Sequence, residues 1–184
     1  MRMTREEWAL RIAEVVAMRA TCVRRRVGCV LTDKHGRILA TGYNGVATGL
    51  PHCTEGHPCK GANAKTGEDL DNCEAIHAEQ NALLQCQDTQ RIHTCYVTVS
   101  PCITCTKLLL NTSCRRIVFI EMYGGEPCPR ELWKRSDDRR LWFSERLRTE
   151  VQHVKQGGER PPAPSDHDDN PEIPDYGNLT YWRC

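Results

Sequence analysis

Along the body of the chain, apolar positions switch between a helical and a strand-like period. Thr4-Arg5-Glu6-Glu7 has the form of a capping box, with Thr4 as the cap and Glu7 reaching back, and Trp8, Ile12, Val15 and Val16 then recur at helical spacing on one face. Residues 27–32 are a short apolar run rich in β-branched side chains. Asp33-Lys34-His35-Gly36 is a turn and residues 37–43 a second strand, so the pair reads as a hairpin that ends at Gly42-Tyr43-Asn44-Gly45. Residues 46–73 have little periodicity, and an irregular segment of that length calls for something to fix it. Residues 75–86 return to helical spacing, 94–100 read as a strand, 103–110 as a helix and 116–121 as a strand. Residues 137–148 read as a charged helix with Leu141, Trp142, Phe143 and Leu147 apolar, and 151–154 as a short last strand. Strands interleaved with helices predict an α/β layered fold with a mainly parallel second half.

Composition narrows this picture. A chain of 184 residues, 39% apolar and 27% charged, is long enough for one domain with a real core. No run approaches the roughly 18 apolar residues of a membrane-spanning helix, and Met1 to Glu7 shows no secretory pattern. The expectation is a cytoplasmic protein without a membrane partner. A net charge of +1 argues against a general nucleic-acid binder. The charge is uneven, however: residues 157–184 carry −4 and five of the ten prolines, and residues 1–156 carry +5. The chain therefore divides into a domain at 1–156 and a Pro-rich acidic C-terminal tail at 157–184, either extended or docked through Tyr176, Leu179, Tyr181 and Trp182. Twelve Cys and seven His, with no export signal, favour metal binding over a disulfide scaffold.

The chemistry concentrates in His77-Ala78-Glu79 and, after 21 intervening residues, Pro101-Cys102-Ile103-Thr104-Cys105. His77, Cys102 and Cys105 supply three ligands, which is what a catalytic zinc needs if a fourth position is to stay open to water. Cys102 and Cys105 are three apart, so both side chains leave the first turn of one helix on the same side. Pro101 suits that helix start, and the positive end of the helix favours thiolate. His77 is expected in the first turn of the 75–86 helix. Glu79, two residues on, points elsewhere around the helix and serves as proton carrier: it takes a proton from water and hands protons to a ring nitrogen and then to leaving ammonia. His-x-Glu followed by Pro-Cys-x-x-Cys is the pattern of zinc nucleobase deaminases.

At these residues the chain resembles the cytidine deaminase superfamily and, within it, the deoxycytidylate (dCMP) deaminases. The resemblance covers roughly residues 5–122. It rests on Arg26-Val27-Gly28, Gly42-Tyr43-Asn44-Gly45, Leu50-Pro51-His52-Cys53, His77 to Ala82, and Tyr96-Val97-Thr98 through Ser100-Pro101-Cys102 to Cys105-Thr106-Lys107. It implies a three-layer α/β/α cytidine deaminase-like fold with a mixed five-stranded sheet. The activity implied is zinc-dependent hydrolytic deamination of dCMP to dUMP and ammonia, supplying dUMP for thymidylate synthesis. The alternatives are a zinc deaminase editing tRNA or other nucleic acid, and a zinc-stapled binding module without chemistry.

The resemblance also bears on the Cys/His-rich insert at 46–73. It implies a second, structural zinc from a Cys after the first helix and ligands in the insert, here Cys22, Cys53, Cys59 and Cys73, with His52 or His57 as substitutes. A metal would staple the long loop, and free buried cysteines are the alternative. For substrate, it points to Arg26 as a phosphate contact, Arg24 and Arg25 reading better as a solvated basic turn. Asn44 suits a sugar hydroxyl or a turn used for its backbone. Thr98 and Ser100 end the strand that feeds the zinc, and their backbone groups are placed to touch the base edge. Tyr123 faces the base, the core or an interface. Relatives imply a homo-oligomer, often a hexamer, with dCTP and dTTP as effectors and Mg2+ on the triphosphate.

Overall fold

A computed structural model of the chain describes residues 2–64, 72–122 and 129–136, and the backbone of 142–145. Helix α1 (Arg5–Ala17) opens with the expected capping box: the Glu7 N–H donates to Thr4 Oγ1 at 3.2 Å, and the Thr4 N–H donates to Glu7 Oε2 at 3.3 Å. Strands β1 (Gly28–Thr32) and β2 (Ile38–Tyr43) form the predicted hairpin. At its turn Gly36 has φ +77°, which L-residues rarely adopt, and Asp33 Oδ1 accepts the N–H groups of His35 and Arg37, both at 2.9 Å. Then follow β3 (Gly45–Val46), β4 (Ala75–Ile76), α2 (Ala78–Gln85), β5 (Thr94–Val99), α3 (Ile103–Leu110), β6 (Arg116–Glu121), α4 (Pro129–Lys134) and β7 (Trp142–Glu145).

The main sheet has the order β2-β1-β5-β6-β7. β1 is antiparallel to both of its neighbours, and β5, β6 and β7 run parallel. Alternation along the strands builds two cores. Val30, Tyr96, Val118 and Ile120 face α1, while Cys29, Leu31, Cys95, Val97, Ile117 and Phe119 share the opposite core with Ala78 and Ala82 of α2 and Leu109 of α3. The class is therefore α/β, with helices on both faces of a mixed sheet.

Several elements differ from the pattern reading. The face of α1 that packs is Ala9, Leu10, Ala13 and Ala17, whereas Trp8 and Val15 are 40% and 64% exposed. The reason is proximity: a Cβ at Gly28 would lie 2.0 Å from the Ala13 carbonyl oxygen, so only small residues fit where α1 crosses β1. Helix α2 starts at Ala78, because Ala75 and Ile76 pair with Val46 and Gly45 instead. Residues 142–145, expected to be helical, are a strand parallel to β6; bulky aromatics suit a pleated ladder, and an open sheet edge offers one. Helix α4 carried no recognised signal. The strand expected at 151–154, Tyr123 and the tail at 157–184 lie outside the described residues.

The irregular insert is closed by the β3–β4 ladder, holds short 3-10 turns at Cys53–Glu55 and Lys60–Asn63, and has its own small core of Cys53, Cys59 and Ala62, with Val46 and Cys73 against it.

Candidate active site

The C-terminal end of β5 and the starts of α2 and α3 converge on one point. Cys102 is the N-cap of α3 and Cys105 sits in its first turn; His77 is the N-cap of α2, not part of its first turn. His77 Nδ1 lies 3.4 Å from the Sγ of Cys102 and 3.4 Å from that of Cys105. Among the described residues this is a group of three ligand atoms, all within 4.8 Å of one another. Two sulfurs and one imidazole nitrogen are a zinc donor set, and three of them match a metal that keeps a position for substrate or water.

The local sequence holds this arrangement. The His77 N–H donates to Gln80 Oε1 at 2.8 Å, and Asn81 Nδ2 donates to the Tyr43 carbonyl at 2.7 Å, tying the start of α2 to the end of β2. Gln80 and Asn81 carried no role in the sequence reading beyond belonging to the motif. The Ser100 N–H donates to the Glu121 carbonyl at 2.8 Å, fixing the chain between β5 and the cysteines.

Electrostatics separate the groups. The Cys102 thiol is pushed down to about 4, first by its hydrogen bond with Cys105 and then by His77, against the effect of burial. Cys105 moves up, because it is the partner that keeps the proton and because it is buried. His77 moves up through its hydrogen bond to Cys102. Glu79 is only 4% exposed, and burial pushes its carboxyl up to about 7, which suits a group that takes and returns protons near neutral pH. It lines the same cleft as His77 and Cys102, so it stands beside the metal ligands without being one of the three.

A cleft of about 110 Å³ opens onto this point, lined by His77, Glu79 and Cys102 together with Arg24, Arg25, Val27, Asn44, Val99 and Ser100, and by Cys22 and Cys73. Of the expected substrate residues, Asn44 and Ser100 line this cleft. Asn44 is also a clamp: its Oδ1 accepts the Val27 N–H and its Nδ2 donates to the Arg25 carbonyl, each at 2.7 Å. Arg26 and Thr98 do not line the cleft. They line a second cavity of about 330 Å³ on the α1 side, with Glu14, Arg25 and Glu121. Strand alternation sends Thr98 to the face opposite Val97 and Val99, and its Oγ1 accepts the Gly28 N–H at 3.2 Å. Arg25 borders both cavities and is ion-paired with Glu121. Among the described residues, the cations that reach the cleft are thus Arg24 and Arg25, which the sequence reading left to solvent.

Of the expected second set, Cys53 and Cys59 are buried together in the insert's core with Cys73 against it, and Cys22 lines the cleft with Cys73, but among the described residues no three of these cysteines come together as a metal-holding group as His77, Cys102 and Cys105 do. His52 turns instead to Glu55, at 3.1 Å, and His57 is exposed.

A mixed sheet that presents a His and a Cys-x-x-Cys pair beside a buried Glu defines a zinc-binding site of the deaminase type. Residues 3–121 match the model of the cytidine and deoxycytidylate deaminase zinc-binding region, and the chain belongs to that family. It is 35% identical to the deoxycytidylate deaminase of Schizosaccharomyces pombe over 124 residues, 65% of this chain and 38% of that protein. It is 37% identical to the deoxycytidylate deaminase of Mycobacterium phage D29 over 120 residues, 62% of this chain and 92% of that one. Its fold is that of the dCMP deaminase from cyanophage S-TIM5 solved in complex with dCMP and dUMP, with a TM-score of 0.56 at 23% identity, over 77% of this chain and 98% of that one. The chain spans under two fifths of the yeast relatives it matches, 38% of the S. pombe protein and 39% of the Saccharomyces cerevisiae one. No helix among the described residues is long and apolar enough to cross a membrane.

Proposed function

We propose that the chain catalyses hydrolytic deamination of dCMP to dUMP and ammonia. The observation that carries this reading is the buried Glu79 held against a three-ligand His77, Cys102, Cys105 group at the end of a cleft. Zinc, when bound by those three, supplies a Lewis acid that makes water a nucleophile near neutral pH. The protein's own residues do the rest. Glu79 accepts a proton from the attacking water and delivers it to the ring nitrogen next to the amine-bearing carbon; it then takes the remaining proton of the added hydroxyl and passes it to the amino group, which leaves as ammonia while the carbonyl forms. Val27 and Val99 exclude water from the base, and Ser100 presents its backbone at the base edge. Asn44 holds the Arg25–Val27 turn while its remaining amide hydrogen is available to the sugar. Arg24 and Arg25 supply charge for the phosphate.

The same reading extends to zinc on Cys22, Cys53, Cys59 and Cys73, to dCTP and dTTP as effectors with Mg2+, and to a homo-oligomer. The deciding experiment is ammonia release from dCMP by the wild-type chain and by Glu79→Gln. The variant should keep its zinc and lose about 10²–10⁴-fold in kcat, the usual range for a proton carrier. Equal rates in the two proteins would leave a zinc-stapled binding module. Release from tRNA or single-stranded DNA but not from dCMP would point to an editing deaminase.

A further inference from the structure

Four residues are joined in one chain of contacts at the cleft, and one of them stands outside it. Asn44 Nδ2 donates to the Arg25 carbonyl at 2.7 Å, the Arg25 guanidinium is ion-paired with the Glu121 carboxylate, and the Glu121 carbonyl accepts the Ser100 N–H at 2.8 Å. Asn44, Arg25 and Ser100 line the cleft with His77 and Glu79, whereas Glu121 lines the second cavity. Glu121 is the last residue of β6, and its register partner on β5 is Val99, which borders both cavities. The carboxylate therefore approaches Arg25 from behind the cleft wall.

The main chain and the side chain of Glu121 hold two different lining residues. The main chain fixes Ser100, whose hydroxyl also meets Met122 Sδ at 3.4 Å, so the end of β6 holds that residue twice. The side chain fixes Arg25, and Arg25 has need of a partner. Its side chain is 35% exposed and borders a cavity of about 330 Å³ on the α1 side. A long side chain with that much room loses rotamer entropy when it must face one way. An ion pair this exposed contributes little to stability; its effect is direction. The guanidinium carries five N–H donors in a fixed fork, so the edge that meets Glu121 leaves others for a phosphate.

We propose that Glu121 is a positioning residue for nucleotide selection: its carboxylate turns the Arg25 guanidinium toward the cleft, and this raises the preference for a nucleoside monophosphate over the bare nucleoside without Glu121 touching either. Two effects oppose each other here. Removing the carboxylate leaves the arginine's whole charge to the phosphate, but it also lets the side chain swing into the second cavity. Orientation outweighs charge, because the planar fork bonds a phosphate only when it faces it. The proposal rests on the deaminase reading for the choice of dCMP and deoxycytidine as the pair to compare.

Glu121→Gln tests this, because it removes the charge and keeps the backbone carbonyl that holds Ser100. The quantity to read is the ratio of kcat/KM for dCMP to that for deoxycytidine, taken in one preparation so that any inactive fraction cancels. It should fall about fivefold, part of what losing a charge-assisted contact outright would cost. The fall should come through KM for dCMP, with kcat and the deoxycytidine KM nearly unchanged. In an Arg25→Ala background, which itself lowers the ratio, Glu121→Gln should change nothing further, since the carboxylate acts through Arg25. An unchanged ratio in Glu121→Gln overturns the proposal, and a higher one does so by showing that Glu121 competes with the phosphate. An equal loss for both substrates also overturns it, as does an effect of the same size with and without Arg25. If Glu121→Gln does not fold, Glu121→Asp, which draws the charge back by one methylene, takes its place with the same direction expected. Ammonia release by the wild-type chain separates the two readings. Release from dCMP with the ratio unmoved in the variant refutes only this proposal. Release from neither substrate refutes the deaminase reading, and the ratio is then read from calorimetric affinities for dCMP and deoxycytidine; binding of neither overturns both.

Discussion

Gly42 and Ala82 meet backbone to backbone: a Cβ on Gly42 would lie 2.3 Å from the Ala82 nitrogen and 2.3 Å from the Ala78 carbonyl oxygen. This contact sets how deeply α2 sits on β2, and α2 carries Glu79 and begins at His77. Gly42→Ala must therefore push the helix, since neither contact atom belongs to a flexible side chain. The expected cost is about 1–3 kcal/mol, as for overpacking elsewhere. Denaturant unfolding should show it, together with weaker zinc retention than in the wild type; unchanged stability would mean that the two elements are not in register.

The three consecutive arginines should behave differently. Arg24 lines the cleft and Arg26 the second cavity. Arg24→Ala should raise KM for dCMP about tenfold or more while leaving KM for deoxycytidine nearly unchanged, the size of a lost charge-assisted hydrogen bond. Arg26→Ala should affect the two substrates alike. Steady-state kinetics on both substrates would show whether the assignments are instead reversed.

Asn44 is the next test, because its amide is used on both sides at 2.7 Å. Asn44→Asp replaces the donor to the Arg25 carbonyl with an oxygen that cannot donate, leaving a half-buried carbonyl without that partner. A loss of about 1–3 kcal/mol is expected, with a lower Tm in the absence of any ligand. A Tm equal to the wild type, with only KM altered, would restrict Asn44 to substrate contact.

Asp33 gives a pH dependence away from the site. Burial works to raise its pKa, but the N–H groups of Arg37 and His35 outweigh burial and hold it below the ordinary carboxylate value. A folded pKa below the unfolded one means that stability from Asp33 is complete above the unfolded value, ~3.9, and is lost as pH falls through the folded value. Arg91, 3.5 Å from Asp33 Oδ2, adds to the same side. Asp33→Asn should therefore be less stable than the wild type at neutral pH and lose less on acidification, as urea midpoints measured across the acid range would show. Parallel acid profiles would contradict this.

Much of the site was legible in the sequence because its chemistry is local. Cys102 and Cys105 are three apart and preceded by Pro101, and Thr4 and Glu7 form a box within four residues, so short-range geometry alone places them. The misread elements depended on distant partners. Trp8 and Val15 are more apolar than Ala9 and Ala13, yet the alanines are inside, because the approach of α1 to Gly28 leaves no room for larger side chains. Trp142 and Phe143 fit a helical period as well as a strand, and the free edge of β6 decided the matter.

From the order of residues alone came the donor set, the Glu79 beside it and the layered α/β class, since ligand chemistry and hydrophobic period are properties of residue type and spacing. Only the tertiary structure decided which arginines reach the cleft, that the Asn44 amide is tied to backbone, and that Cys73 stands between the insert and the cleft. Those outcomes depend on which face of an extended segment turns inward, and that is set by packing between elements far apart in the chain.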